Sequence, residues 1–365
     1  MDMTLSETQR NLASLAARIV GDAAERATPP ARLWRLLANA GLLGIVVPEN
    51  LGGLGLEFTE NGLVLEEAGR AAASVPLLEA CVAATLLRDL GGDPAQLTGL
   101  ASGEVVFGIA LSEPAADPLT PLVCASGDPG RWTLRGIKLC APSDLPATHL
   151  LVSAHLAGIG PRLLVLAAKR DGVRLDWGQV SFDGVPIGPD DVLGDLAEPG
   201  AVPLAVRCAT AAACSVMAGA MSAALRLTAH YAGIREQFGR PIGSFQAVGQ
   251  RAADAFTAAW SIELTARQAC WYVSADSGPA ADQAVAIAKY TAATAGAEVI
   301  RAAHHLHGGI GLDRDYPLHR YTTLGRRLEL LLGGASEQAD RLGEMLAGRA
   351  VWAAESITCA ANGSE

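Results

Sequence analysis

The stretch Tyr231-Ala-Gly-Ile-Arg-Glu-Gln-Phe-Gly-Arg-Pro-Ile-Gly-Ser-Phe-Gln246 is a polar, turn-forming island between two long alanine-rich segments. Before it, the uncharged run Cys208 to Leu225 is built from Ala, Ser, Gly and Thr with few large apolar residues. That composition predicts a closely packed internal helix rather than a membrane span. Phe238-Gly239 and Pro241 end one helix, and Gln246 begins the next one short turn later. A guanidinium at Arg235, beside a glycine turn and a helix N-terminus, suits a pyrophosphate. An ordinary helix–loop–helix corner with a surface arginine has the same spacing, so spacing alone leaves both readings open.

Outward from this corner the chain changes texture twice. From residue 5 to about 100, helical patterns alternate with short breaks: Leu33, Leu36, Leu37 and Ala40 fall on one helix face, and a glycine-punctuated loop follows from Ile45 to Gly55. Pro76 predicts a helix start near Val75. From Glu104 short apolar runs bounded by Pro, Gly and Asp take over: 105–111, 132–134, 149–154, 162–168 and 173–177. They predict a small antiparallel sheet or barrel. Helical patterns return near Ala201 and continue to about Gly348, broken at 238–243, 277–280, 308–317 and 333–336. The order is α, then β, then α: an α+β chain with a helical domain over 1–103, a β domain over 104–199 and a helical bundle over 200–365.

Composition narrows the function. The chain has 365 residues, 50% hydrophobic, enough for a large core, and its formal net charge of -10 with scattered basic residues argues against a nucleic-acid partner. The glycines form no GxGxxG, so a dinucleotide-binding fold is not indicated. Seven cysteines (81, 124, 140, 208, 214, 270, 359) form no CxxC pair, and Met-Asp-Met-Thr-Leu-Ser-Glu carries no signal-peptide pattern, so a reducing cytoplasm is the expected location. Histidines 304, 305 and 307 stand close together, but no carboxylate or cysteine completes a ligand set beside them, and no metal is expected.

Arg-Glu-Gln-Phe-Gly-Arg-Pro-Ile followed by Phe-Gln resembles the signature of the acyl-CoA dehydrogenases, and the likeness covers nearly the whole chain. Residues 34–55 are similar to that family's N-terminal helical lobe, Leu111-Ser-Glu-Pro114 to its Thr-Glu-Pro segment in an antiparallel β domain, and His307-Gly-Gly-Ile-Gly-Leu312 with Tyr316-Pro317 to its C-terminal Gly-Gly motif. The resemblance implies FAD bound across a subunit interface. Arg235, Phe238, Gln246 and Gly309 match the contacts to the ADP half, with His305 where the family usually has Gln. For the flavin ring, Ser112 replaces the usual Thr and keeps a hydroxyl. The family's Trp-Ile-Thr, however, aligns with Cys140-Ala141-Pro142 after Gly136-Ile-Lys138-Leu, which removes an aromatic cover, a hydroxyl and a backbone N–H.

The reaction implied by the resemblance removes a proton from the α-carbon of an acyl thioester and passes a hydride to the flavin, so it needs a carboxylate base. At the family's usual base position this chain has Gly333, and at the alternative one, on the first helix of the bundle, Ala209. No Asp or Glu occurs between Glu198 and Glu236, while Glu329 and Glu337 each lie four residues from Gly333 and read as helix-end charges. The resemblance therefore implies the base-lacking subunit of an actinobacterial, steroid-type α2β2 acyl-CoA dehydrogenase, with no catalytic residue of its own. Its expected partners are a homologous subunit carrying the catalytic Glu, an acyl-CoA substrate and an electron-transfer flavoprotein. Two other readings stay open: a self-sufficient homotetramer with a displaced base or an elimination chemistry, and a structural or regulatory member without cofactor.

Overall fold

The computed structural model describes residues 4–361 apart from 115, 129, 142, 177 and 276–277, with side chains as far as residue 348. Five helices form the first lobe: α1 (Glu7–Glu25), α2 (Pro30–Asn39), α3 (Phe58–Arg70), α4 (Leu77–Asp89) and α5 (Pro94–Ser102). Helix α1 opens on a capping box, in which the Ser6 hydroxyl accepts from the Gln9 N–H and the Gln9 side chain accepts from the Ser6 N–H. The buried face of α2 is Leu33, Trp34 and Leu37, whereas Leu36 is exposed. The face turns because the Trp34 indole N–H donates to the Gly103 carbonyl at 2.9 Å. Pro76 is the N-cap of α4, where the sequence places a helix start, and every residue from Leu77 to Leu87 is buried.

The central sheet contains β1 (Phe107–Ala110), β2 (Cys124–Asp128), β3 (Arg131–Leu139), β4 (His149–Leu156), β5 (Gly160–Ala167), β6 (Val173–Asp176), β7 (Gln179–Ile187) and β8 (Val192–Leu193). The strands run in the order β6-β7-β3-β2-β4-β5-β8, with β1 added on β4. Direction is mixed rather than antiparallel throughout: β1 and β2 both pair parallel to β4, and the remaining pairs are antiparallel. The sheet separates two cores. Leu151 and Leu163 face the helices, whereas Leu150, Val152, Leu164 and Leu166 pack into a second core on the opposite face. With both faces covered, β4 reads as a continuous apolar run.

The bundle consists of α6 (Ala201–Ile234), a hairpin of β9 (Glu236–Gln237) and β10 (Arg240–Pro241), then α7 (Gln246–Ala275), α8 (Pro279–His307), α9 (Leu318–Leu330) and α10 (Ala335–Ala361), the last running past Gly348. Helix α6 is long and apolar enough to cross a membrane, but 89% of its most apolar window is buried inside the protein. It is the core helix. Two glycines allow its closest approach to the first lobe: a Cβ at Gly219 would lie 1.7 Å from the Glu66 carbonyl oxygen, and one at Gly69 would lie 2.0 Å from that of Val216. No side chain fits at either point, so α3 and α6 touch backbone to backbone.

Candidate cofactor-binding site

The corner that ends α6 is a two-residue hairpin turn. Phe238 and Gly239 both have positive φ, +54 and +77, the backbone of a tight I′-like turn. A phenylalanine rarely takes that conformation, and here its ring is 92% exposed. It meets the Phe245 ring edge-on at 6.1 Å, while the Arg240 guanidinium lies 4.2 Å above the same Phe245 ring. Arg235, the C-cap of α6, and Gln246, the first residue of α7, are also exposed. Residues 308–312 form a 3-10 turn after α8; Gly309 in this turn and His305 in the last turn of α8 are both exposed.

An aromatic brace joins this turn to the end of α6. Tyr231 stacks on His307 at 4.7 Å, and His307 Nε2 and Nδ1 bond to the Tyr316 hydroxyl and the Ala303 carbonyl at 3.0 and 2.8 Å. Burial lowers the pKa of His307, only partly offset by the Ala303 bond, so its ring serves as a neutral strut. His304 Nε2 pairs with the Thr322 hydroxyl at 2.8 Å. Arg235, Phe238, Gln246, His305 and Gly309 are thus presented outward at one end of the bundle.

Ser112, Ala209 and Gly333 lie elsewhere, around inner cavities between the sheet and the bundle. A cavity of about 300 Å³ is lined by Ser112, Leu139, Cys140, Ala141, Ala209 and, from α9, Arg327, among others. A neighbouring space of about 490 Å³ reaches Ser112 and Gly333. The hydroxyl of Ser112 is buried without a hydrogen-bond partner. Its loop is pinned by a buried ion pair: Lys138 Nζ lies 2.5 Å from Glu113, whose carboxylate accepts the N–H groups of Leu122 and Val123, and Lys138 also donates to Ser153 at 2.8 Å. Burial pulls the Lys138 pKa down against the opposing pull of Glu113.

Both base positions are without a carboxyl. Ala209 is 1% exposed in mid-helix, and Gly333 has φ +96, with Gln338 Nε2 3.0 Å from any added Cβ. The flanking acids are occupied: Glu329 pairs with Arg326 at 2.7 Å, and Glu337 accepts the Gly334 N–H at 3.1 Å to cap α10. Burial of Lys289, against α9, pulls its pKa down to about 8 while it donates to the carbonyls of Leu328 and Glu329. It fixes the end of α9 that leads into Gly333.

Residues 2–103 match the acyl-CoA dehydrogenase N-terminal domain and residues 207–346 the acyl-CoA dehydrogenase C-terminal domain. The acyl-CoA dehydrogenase FadE27 of Mycobacterium tuberculosis is 34% identical over 95% of this chain and 99% of its own length. This chain belongs to the acyl-CoA dehydrogenase family. Another relative, acyl-CoA dehydrogenase FadE28 of the same organism, is 34% identical over 85% of this chain and 91% of its own. Among solved structures, the steroid ACAD Tcur3481-Tcur3483 G363A variant superposes with a TM-score of 0.87 at 37% identity, covering 95% of this chain and 100% of that one. The ChsE4-ChsE5 complex from Mycobacterium tuberculosis does so with a TM-score of 0.85 at 32% identity, covering 95% and 99%.

FAD is the cofactor of acyl-CoA dehydrogenases, and the two regions fit it unequally. The outer corner offers an unburied guanidinium, an exposed aromatic and a glycine turn, the groups an ADP moiety calls for. In the inner cavity the unpartnered Ser112 hydroxyl suits a polar ring atom, but Cys140 and Ala141 provide no aromatic cover, and Pro142 lies outside the described residues. Asp117, Glu337, Asp340 and Glu344 line the 490 Å³ space against Arg341, an acidic setting that opposes a diphosphate.

Sequence reasoning missed Glu79. It sits in the first turn of α4, is 9% exposed, and lines the 300 Å³ cavity together with Ala209 and Arg327. Desolvation raises its pKa, opposed by Arg327. With burial, its charge pushes the Cys140 thiol up to about 11. The signal was present as a single acid inside the apolar run Leu77-Leu-Glu-Ala-Cys-Val-Ala-Ala84, where a surface helix would carry several.

Proposed function

We propose that this chain is the base-lacking subunit of a heteromeric α2β2 acyl-CoA dehydrogenase, offering the ADP-half contacts Arg235, Phe238, Gln246, His305 and Gly309 to FAD whose ring and chemistry belong to a homologous, Glu-carrying subunit. The observation that carries this reading is the division between the two regions. The contact set for the cofactor's ADP half is exposed and preformed, while Gly333 and Ala209 stand where a base would be. An exposed apolar stripe on α7, formed by Phe256, Trp260, Leu264 and Trp271 at helical spacing, supports assembly with another subunit. The likeness to a steroid ACAD and to a ChsE4-ChsE5 complex favours a heteromer acting on a bulky thioester such as a steroid side chain, with an electron-transfer flavoprotein as acceptor. The described cysteines are free thiols, as suits a reducing cytoplasm.

Co-expression with a Glu-containing paralogue, followed by native mass and flavin stoichiometry, tests this. The expected result is four chains with two FAD, and a colourless lone chain. Glu79 gives a second reading its one support, since a buried carboxyl in the cavity is what a self-sufficient enzyme with a displaced base requires. In that case the lone chain carries about one FAD, turns over an acyl thioester, and loses turnover in Glu79→Gln.

A further inference from the structure

His307 is the last residue of α8 and 4% exposed, and three parts of the chain meet on its ring. The Tyr231 ring of α6 stacks on it at 4.7 Å, and Tyr316, from the segment before α9, lies 5.1 Å from it and 6.4 Å from Tyr231. Tyr231 carries one half of the proposed contact set. Its carbonyl accepts the Arg235 N–H at 2.8 Å, and the Arg235 carbonyl accepts the Ile242 N–H at 2.8 Å, so the hairpin hangs on that last turn of α6. His307 carries the other half, because it leads directly into the 308–312 turn with Gly309. Gly311 is packed so closely under it that an added Cβ would lie 3.1 Å from the His307 Cβ. The ring is the joint between the 235–246 corner and the turn that presents Gly309.

The two bonds of the ring fix where its proton sits. The Ala303 carbonyl, 2.8 Å away, can accept but not donate, so Nδ1 carries the hydrogen, and Nε2 of the neutral ring accepts the Tyr316 O–H at 3.0 Å. A second proton makes both nitrogens donors. The Tyr316 O–H then loses its acceptor, and among the described residues it has no other hydrogen-bond partner. Burial acts against that second proton, as does His304 one turn back on α8, and neither ring nitrogen meets a carboxylate. The other titratable groups around the ring are Tyr231 and Tyr316; burial raises the Tyr316 pKa, and His319 of α9 bonds the Tyr316 carbonyl. We propose that His307 is a positioning residue for the cofactor, its neutral ring locking the end of α6 to the Gly309 turn so that FAD is held at neutral pH and loosened by acid. This rests on the assignment of the corner to the ADP half of FAD.

The co-expressed complex, with FAD release read by flavin fluorescence at about pH 7 and about pH 5, tests the proposal. In the wild type the FAD dissociation constant rises on acidification, across a window below the ordinary 6.5 because burial lowers the ring's pKa. Tyr316→Phe removes the hydroxyl alone and weakens FAD about fivefold at the neutral end, with a smaller further loss in acid. His307→Gln, whose amide donates and accepts but does not titrate, holds FAD within about threefold of wild type at the neutral end and loses the acid response. His304 and His305 are common to all three proteins, so their charges cancel in the comparison. An acid loss of equal size in all three overturns the proposal, as does a neutral-end affinity left unchanged by Tyr316→Phe. Arg235→Ala separates the two levels. Full flavin there sinks the assignment of the corner itself, whereas flavin released there but held as in wild type by both Tyr316→Phe and His307→Gln, at both pH values, sinks the positioning role alone.

Discussion

The outer corner at residues 235–246 and the inner cavity around Ala209 and Gly333 sit toward opposite ends of the same bundle and have opposite character. The corner is solvent-facing and presents Arg235, Gln246 and a phenylalanine held at φ +54 with its ring in water. The cavity has an alanine at 209 and no aromatic side chain among the described residues of its lining, and acids border the neighbouring 490 Å³ space that reaches Gly333. The proposed function accounts for this difference, since a site shared between two chains would leave one of them with cofactor contacts and no base.

The largest expected effect strikes the inner region alone. Lys138→Met strands Glu113 in the interior without its cation, at a cost of about 3–5 kcal/mol in urea unfolding. A loss under one kcal/mol breaks the view that the cavity's frame is rigid. Lys289 gives a pH test of the same frame. Its folded pKa, about 8 against an ordinary 10.5, means the unfolded chain binds more protons between those values, so wild-type stability rises with pH across the window. Relative to Lys289→Met the rise is about 3 kcal/mol, read from urea midpoints at the two ends of the window. A flat difference between the two proteins removes the buried charge from the account.

At the outer corner, Arg235→Ala releases FAD from the complex by removing a charge-assisted contact of about 1.5–3 kcal/mol, while the fold of the lone chain is untouched. Unchanged flavin content sinks the assignment. Phe238→Gly sharpens the contrast, because relief of the left-handed backbone stabilises the lone chain by about 1 kcal/mol while the complex holds its flavin less well. A phenylalanine that matters only to the lone fold moves both measurements the same way. The smallest effect is expected from Gly333→Glu, which yields no dehydrogenase in the lone chain because the ring is uncovered at Cys140-Ala141. Robust turnover there would collapse the distinction between the two regions.

Much of this was legible in the residues. The corner, the Gly-Gly turn and the two empty base positions stand in local motifs, and the helix breaks follow from Pro and Gly. Strands β1, β4, β5 and β6 overlap the apolar runs bounded by Pro, Gly and Asp, whereas β2, β7 and the two-residue β8 escaped. Gly127 and Gly184 interrupt β2 and β7, and β3 was cut short where a register shift at Leu134/Arg135 and Gly136 breaks its pattern. Parallel pairing of β1 and β2 with β4 was invisible because alternation reports which face is buried, not the direction of the neighbour. Glu79 stood out as a lone acid in an apolar run, but its role was not legible there. Its meaning comes from Arg327 and Ala209, brought to it from helices far along the chain.

The glycine contact between α3 and α6 bears on how the two regions communicate. Gly219 lies between Ala209 and Arg235 on one unbroken helix, about 15 Å from the first and about 24 Å from the second at the α-helical rise. Backbone seated on backbone at that point makes it a fulcrum. A tilt of α6 about that point that carries Arg235 one way by about 1 Å swings Ala209 the other way by about 0.6 Å, a lever whose short arm ends in the cavity wall.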